Sequence, residues 1–198
     1  MPMESFLPMV ALAFASAWTP GPNNALLAAS GARFGLRATL PHVAGVGLGF
    51  PLMVLIVGLF LGQAFQQSHI LQQGLRWGGA ALLLWMGWKI ANAGAAGAGA
   101  ADAKPFSLLG AAAFQWVNPK GWVMAISTSA IYISKDAPVL TATIIAAAFM
   151  AMAFTSALGW AWVGQAMAGW LGTGHRLRIF NLTMGLMVAA GAAVLIFD

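Results

Sequence analysis

Long apolar stretches with few or no charges are the feature of this sequence that most limits how it can fold. No residue between Glu4 and Arg33 is charged, and five more apolar stretches follow, of which three contain one or two basic residues. The six stretches cover residues 6–32, 41–64, 71–90, 107–133, 139–160 and 177–197. Each is long enough for an α-helix to cross a bilayer core about 30 Å thick, which takes about 20 residues. The chain is therefore expected to fold in lipid.

Composition supports a membrane protein built from helices. Only 7% of the 198 residues are charged and 61% are hydrophobic, whereas soluble domains have about 25% charged and about 45–50% apolar residues. The stretches are continuous and lack the short alternating pattern of membrane β-barrels. An open sheet could not satisfy its backbone in lipid. The predicted fold class is an all-α polytopic membrane protein with six transmembrane helices.

The basic residues indicate an orientation in the membrane. The net charge is +5, but the basic residues are scattered and form no stripe that could bind nucleic acid. With the N-terminus outside, two basic residues lie on the outer side, Arg76 and Lys135. Six lie on the inner side: Arg33, Arg37, Lys89, Lys104, Arg176 and Arg178. Because cytoplasmic loops are enriched in Lys and Arg, both termini are predicted to lie outside.

A low-complexity segment divides the chain into two halves. We predict one transmembrane domain over residues 1–198, with an Ala/Gly-rich cytoplasmic linker over 91–105. The linker separates a three-helix repeat over 1–90 from a second one over 106–198. Since three is an odd number, the second repeat enters the membrane from the opposite side, and the repeats are inverted.

Two of the apolar stretches contain residues that interrupt a helix. The first has TPGPNN at 19–24, and the fourth has QWVNPKGW at 115–122. Proline removes a backbone donor and obstructs the preceding turn, so both helices are expected to break. After the first break, the helix is expected to restart near Asn23 or Asn24, which are good N-caps. Pro22 and Pro119 lie 97 residues apart, so the breaks occupy matching places in the two halves.

Paired breaks of this kind point to a transporter. Interrupted segments at corresponding positions of two halves are typical of a substrate site near mid-membrane. Amides freed at a helix restart carry partial positive charge and suit a carboxylate. The alternative interpretation is that both sites are simple kinks or loop boundaries at the membrane surface.

Lys120 is a charged residue in a stretch, 105–134, that is otherwise uncharged. A lysine inside a span costs at least about 2.5–3.5 kcal/mol on insertion scales. No acidic residue lies within a predicted span, because all four are in termini or loops: Glu4, Asp102, Asp136 and Asp198. Three roles remain open for Lys120: binding an anionic group of a substrate, snorkelling to the interface, or carrying a coupling proton.

Small residues at helical spacing predict close helix packing. Glycines recur four residues apart at Gly45 and Gly49 in the second stretch, and at Gly74 and Gly78 at the start of the third. Such pairs allow helix backbones to approach closely in lipid.

The motifs resemble those of a known family. TPGPNN at 19–24, AGVGLGF at 44–50, LWMGWKIA at 84–91 and KPFSLLGAAAFQWVNPKGW at 104–122 are similar to the LysE/RhtB family of amino-acid exporters. The resemblance covers nearly the whole chain. It implies an inner-membrane protein that exports amino acids or close derivatives by proton antiport, with a homodimer as one option.

The resemblance also bears on the substrate. Exporters of basic amino acids in the family tend to carry an aspartate after the Gly-rich motif, where this chain has Phe50. That difference favours the branches that export threonine and homoserine, leucine, or cysteine and O-acetylserine. The AGVGLGF and FQWVNPK segments are most similar to the last of these.

The expected function is therefore a secondary transporter that exports a small neutral amino acid. The predicted substrate-binding residues are Thr19, Asn23, Asn24, Asn118 and Lys120. The predicted helix-break or hinge residues are Pro20, Gly21, Pro22, Pro119 and Gly121. No cofactor and no metal site are expected. The alternatives are a channel, a non-transporting assembly subunit or a metal-cation exporter; an enzyme would need converging acids or histidines that the sequence lacks.

Overall fold

The fold was analysed in a computed structural model that describes residues 3–61, 67–93, 104–172 and 174–197. In its described residues each of the six apolar stretches is mainly helical, and none of the described residues forms a β-strand. The first stretch contains α1 (Met3–Trp18) and α2 (Pro22–Phe34). The second contains α3 (Leu36–Ile56), which continues into a π-helical turn (Val57–Leu61). The third contains α4 (His69–Gly74), a π-helical turn (Leu75–Gly79) and α5 (Ala80–Ala91). The other three contain α6 (Leu108–Phe114), a 3-10 turn (Gln115–Val117) and α7 (Pro119–Tyr132), then α8 (Pro138–Leu171), then α9 (His175–Phe197).

Three helical segments are long and apolar enough to cross a membrane. They are Leu36–Leu61, Pro138–Leu171 and His175–Ile196. The first and fourth stretches are each divided into two shorter helices at the prolines. The all-α membrane class is confirmed, whereas the count of six spans and the inverted repeats stay predictions. Of the predicted linker over 91–105, residues 94–103 lie outside the described residues.

The long helix α8 packs against α1, α2 and α3, and α9 packs against α5 and α2. Contact between α2 and α8 depends on glycine. An ideal Cβ at Gly31 would lie 2.0 Å from the carbonyl oxygen of Ala161, and one at Gly164 would lie 2.0 Å from that of Ala28. No side chain fits at either position, so the two backbones touch directly.

The predicted glycine pairs differ in outcome. An ideal Cβ at Gly45 would lie 2.4 Å from the carbonyl oxygen of Leu108, and one at Gly49 would lie 2.6 Å from Cα of Ala112. This confirms that the pair packs closely, here against α6. At Gly74 and Gly78 an added Cβ would meet no atom of the described chain within 4 Å. The prediction was wrong for that pair, because its spacing alone does not bring a partner helix near.

Candidate functional site

Both predicted breaks are present, and each new helix begins at a proline. Residues 19–21 separate α1 from α2, and Asn118 separates the 3-10 turn from α7. Pro22 and Pro119 occupy first helical positions, where the missing N–H costs no hydrogen bond. The helix restarts near Asn23, as expected, but capping by Asn23 or Asn24 was wrong, because the fixed φ of Pro22 starts the helix one residue earlier. The N-cap residue is Gly21, whose backbone is fully extended, so no side chain caps the start of α2.

The two breaks meet at a cavity of about 60 Å³. Residues of both breaks line it, together with residues of α3 and α8. The polar side chains in its lining are those of Ser16, Asn23, Asn24, Gln115, Asn118, Lys120 and Ser156. The apolar ones include Val46, Phe50, Met124, Ala153 and Ala157. Among the described residues that line the cavity, none carries a carboxylate.

A pair of side-chain amides joins the first break to the second. Asn23 Nδ2 donates to Gln115 Oε1 at 2.8 Å, and Gln115 Nε2 lies 3.4 Å from Asn23 Oδ1. Gln115 is fully buried and also donates to the carbonyl of Ala111. The sequence prediction did not include Gln115 in the site. The sequence feature that could have identified Gln115 is a polar amide side chain within an apolar stretch, three residues before Asn118.

Asn24 and Ser156 stabilise the end of α1. Asn24 Nδ2 donates to the carbonyls of Ala17 and Thr19, each at 2.9 Å. Ser156 Oγ, on α8, donates to Ala17 at 2.7 Å. These bonds satisfy carbonyls that would otherwise lack partners where the helix stops. Asn24 therefore holds the backbone of the break, and Ser156, which the prediction also omitted, fixes the break to α8.

Lys120 reaches from the second break to the first. Its Nζ donates to the carbonyl of Thr19 at 2.7 Å. Its aliphatic chain passes Gly21, where an ideal Cβ would lie 3.4 Å from Lys120 Cδ. The ammonium thus lies at the C-terminal end of α1, where carbonyl dipoles favour a cation.

Thr19 contributes its backbone to the site. The Thr19 hydroxyl donates back to the carbonyl of Ala15 at 2.5 Å, and the residue is exposed. Its carbonyl accepts from both Lys120 and Asn24. The structure therefore brings Thr19 to Lys120 through a main-chain oxygen, with the side chain directed into α1.

Asn118 presents a free hydrogen-bond acceptor. Its backbone carbonyl caps α7 by accepting from the N–H groups of Gly121 and Trp122. Its side chain makes no cap, and Oδ1 is buried without a hydrogen-bond partner in the described structure. An unsatisfied buried polar atom costs roughly 1–3 kcal/mol. Asn118 also lines the cavity, and an unsatisfied buried polar atom beside a cavity calls for a functional explanation.

Two of the predicted hinge residues, Pro22 and Pro119, lie against α9. An ideal Cβ at Gly191 would lie 2.7 Å from Pro22 Cγ and 3.8 Å from Pro119 Cγ, so both helix starts meet at one point of α9. Gly121 follows directly in α7, and an ideal Cβ there would lie 3.2 Å from the carbonyl oxygen of Gln115. Pro20 is exposed within the first break.

The described part of the chain holds no group of three or more His, Asp or Glu side chains that could bind a metal ion. This agrees with the lining of the cavity, which offers amides, hydroxyls and one ammonium. Ligands of this kind are poor for transition metals, which prefer imidazole, thiolate or carboxylate.

Comparison with known proteins assigns the family. The model of the LysE type translocator family matches residues 14–198. The cysteine/O-acetylserine efflux protein of Escherichia coli K12 is 31% identical over 138 residues, which are 69% of this chain and 70% of that protein. The protein of the same name from Shigella flexneri gives the same values, and the one from Escherichia coli O1:K1 is 30% identical over the same length. No solved structure matches. The chain therefore belongs to the LysE family of membrane translocators.

Proposed function

We propose that this translocator exports a small neutral amino acid or a close derivative, which it binds in the cavity between the two helix breaks. One observation carries the proposal. The cavity is lined by a cation, Lys120, and by Asn118, whose Oδ1 has no hydrogen-bond partner in the described structure, and its described lining has no carboxylate. That arrangement suits a zwitterion.

The two charged ends of an amino acid have separate partners in this proposal. The substrate carboxylate lies against Lys120 Nζ and the first-turn amides of α2, where the helix dipole is positive. The substrate ammonium donates to Asn118 Oδ1, which otherwise has no hydrogen-bond partner in the described structure. On binding, Lys120 exchanges the Thr19 carbonyl for the carboxylate.

The size and chemistry of the cavity support a small, uncharged side chain. The cavity, of about 60 Å³, leaves little room for a long side chain. Phe50, Met124 and Val46 supply the apolar wall for the substrate side chain. A lysine or arginine substrate would place a second positive charge in this cavity with no acid to pair with it. Among neutral amino acids, the relatives favour cysteine and O-acetylserine.

We also propose six spans arranged as two inverted repeats. An ideal Cβ at Gly87 would lie 2.6 Å from the carbonyl oxygen of Gly185, and one at Gly185 would lie 2.5 Å from that of Gly87. Gly87 also approaches Ala189, and Gly185 approaches Ala91. Gly185 and Ala189 of α9 lie 98 residues after Gly87 and Ala91 of α5, respectively. Reciprocal contacts of this kind are typical of a two-fold axis, and the antiparallel register supports an axis in the membrane plane, as in inverted transporters.

The remaining parts of the proposal concern energy and orientation. The sequence has no GxxxxGK[ST] phosphate loop, so we propose that an ion gradient drives export, with protons as the counter-ion. The distribution of Lys and Arg supports N-out and C-out termini in the inner membrane.

Transport by the purified protein tests the proposal. Proteoliposomes that contain the full chain are given labelled amino acids from a panel, with and without a pH gradient. Saturable movement of one small neutral amino acid, increased by the gradient, is the expected result. Lys120→Met should lower this movement at least tenfold, whereas Lys135→Met, which removes an exposed loop lysine, should leave it unchanged.

Two other outcomes would contradict the proposal. Movement down the gradient of the amino acid alone, with no response to pH, would indicate a channel. Parental rates in folded Lys120→Met protein would show that the assigned cavity is not the substrate site.

A further inference from the structure

Two hydroxyl groups outside the cavity lack hydrogen-bond partners. Thr128 is fully buried on α7, and its Oγ1 has no partner in the described structure. The neighbouring Ser129 Oγ is buried and unpartnered there as well. A helical threonine normally donates to the carbonyl four residues back, as Thr39 and Thr143 do in this protein. The two hydroxyls on α7 do not, which leaves an uncompensated cost in the observed conformation.

Thr128 continues the face of α7 that lines the cavity. Gly121 and Met124 line the cavity, and Thr128 lies seven and four residues after them. Residues at these spacings share one face of a helix. Thr128 is therefore one turn beyond the cavity, on the side where α7 ends.

A thin apolar layer separates the cavity from these hydroxyls. Met53 of α3, Val57 at the start of the following π-helical turn, Ala125 of α7 and Phe149 of α8 belong to one cluster, and each is at most 1% exposed. Met53 borders the cavity, since its Sδ would lie 3.5 Å from a Cβ at Gly121. On α7, Ala125 of this cluster comes between the cavity-lining Met124 and Thr128.

The opposite wall, on α3, is irregular at the same level. The π-helical turn Val57–Leu61 follows the apolar layer, and an ideal Cβ at Gly58 would lie 2.7 Å from Ser129 Oγ. The Ser129 hydroxyl therefore lies where a side chain at residue 58 would otherwise be. Such π-helical turns inside helices frequently mark functional sites.

From these observations we propose that Thr128 and Ser129 form a second, transient polar site on the export path. The neutral amino acid and water reach it when the layer of Met53, Val57, Ala125 and Phe149 parts. The proposal rests on the function proposed above. In the open state both hydroxyls gain partners, because a hydroxyl can accept from an ammonium and donate to a carboxylate or water. Their unsatisfied state in the closed form therefore favours opening.

A single cysteine provides the test, because the natural chain has none. Ser129→Cys is reconstituted in proteoliposomes and treated with a membrane-impermeant thiol reagent. The cysteine is expected to react during transport. Adding Thr128→Val, which keeps the shape and removes the hydroxyl, should slow the reaction by roughly tenfold, since the closed state no longer contains that unsatisfied group.

Stability separates this role from a structural one. Thr128→Val alone should raise the thermal unfolding midpoint while it lowers the transport rate. A hydroxyl that merely supported the fold would give a lower midpoint. Thr143→Val, which removes an exposed and already bonded hydroxyl, is the matched control and should leave transport unchanged.

The outcomes distinguish this proposal from the proposed function. If Ser129→Cys stays unreactive while Lys135→Cys in the loop reacts, the second site is wrong. A lower midpoint for Thr128→Val with an unchanged labelling rate would overturn it as well. If the parental protein moves no amino acid at all, the proposed function fails, and labelling of Ser129→Cys without added substrate still decides whether this face opens.

Discussion

At the scale of single residues, the site depends on polar groups that find partners across the two halves of the chain. Asn23 and Gln115 are 92 residues apart in sequence and bonded to each other at 2.8 Å. Asn24 and Ser156 bond to the backbone of the first break. Asn118 Oδ1 keeps a free lone pair beside them. Two kinds of amide therefore line the cavity: some hold the breaks together, and that of Asn118 has an oxygen without a hydrogen-bond partner in the described structure.

The Asn23–Gln115 pair gives a prediction about stability. Gln115→Leu should destabilise the protein by roughly 1–3 kcal/mol, because it leaves the Asn23 amide without its partner in a buried site. Asn23→Leu should do the same. The double variant should lose less than the sum, since neither amide is then left unpaired. Thermal unfolding of the four proteins in detergent measures this cycle, and strictly additive losses would show that the two amides are not coupled.

The residue scale also shows what local reasoning can and cannot predict. Lys120, Asn118 and Asn23 were predicted because polar groups beside proline stand out in an apolar stretch. The side chains of Gln115 and Ser156 were not, because their role comes from partners far away in sequence. Thr19 was predicted as a binding side chain, but its hydroxyl bonds to α1 and only its carbonyl reaches Lys120.

At the scale of elements, the broken helices follow directly from the sequence. Proline acts locally, so the breaks at 19–21 and at Asn118 could be located without knowing the fold. The exact restart could not be inferred from capping preferences, since Pro22 and Pro119 start their helices themselves. Helix partners were also beyond prediction: Gly45 and Gly49 face α6, whereas Gly74 and Gly78 face no described atom.

Contact between α2 and α8 gives a prediction at this scale. Gly164→Ala should cost roughly 1–3 kcal/mol through overpacking, because the new Cβ would lie 2.0 Å from the carbonyl oxygen of Ala28. Gly169→Ala is the matched control on the same helix, with no atom within 4 Å of the new Cβ. It should be neutral or stabilising, since alanine is the better helix former. Unfolding midpoints compare them, and equal effects would contradict direct contact of the backbones.

At the scale of the whole molecule, the cavity lies where the two halves of the chain meet. Residues of both breaks line it, and α9 contacts both helix starts at Gly191. A site shared by both halves can change when one half moves against the other, which is how inverted-repeat transporters alternate their access. The sequence predicted this arrangement through the matching breaks. It could not predict that α8 closes the cavity, because α8 has no interrupting motif and its role depends on packing.

The zwitterion account is the central claim, and ligand binding to the purified protein tests it most directly. The substrate identified by transport is compared with two analogues, one without the carboxylate and one with an acetylated amine, through the rise in unfolding midpoint that each causes. We expect both analogues to bind the parental protein much more weakly than the substrate. In Lys120→Met, the analogue without the carboxylate should bind about as well as the intact substrate. In Asn118→Ala, the analogue with the acetylated amine should bind about as well as the intact substrate. If Lys120→Met still prefers the intact substrate as strongly as the parental protein does, Lys120 does not bind the carboxylate and the account is wrong.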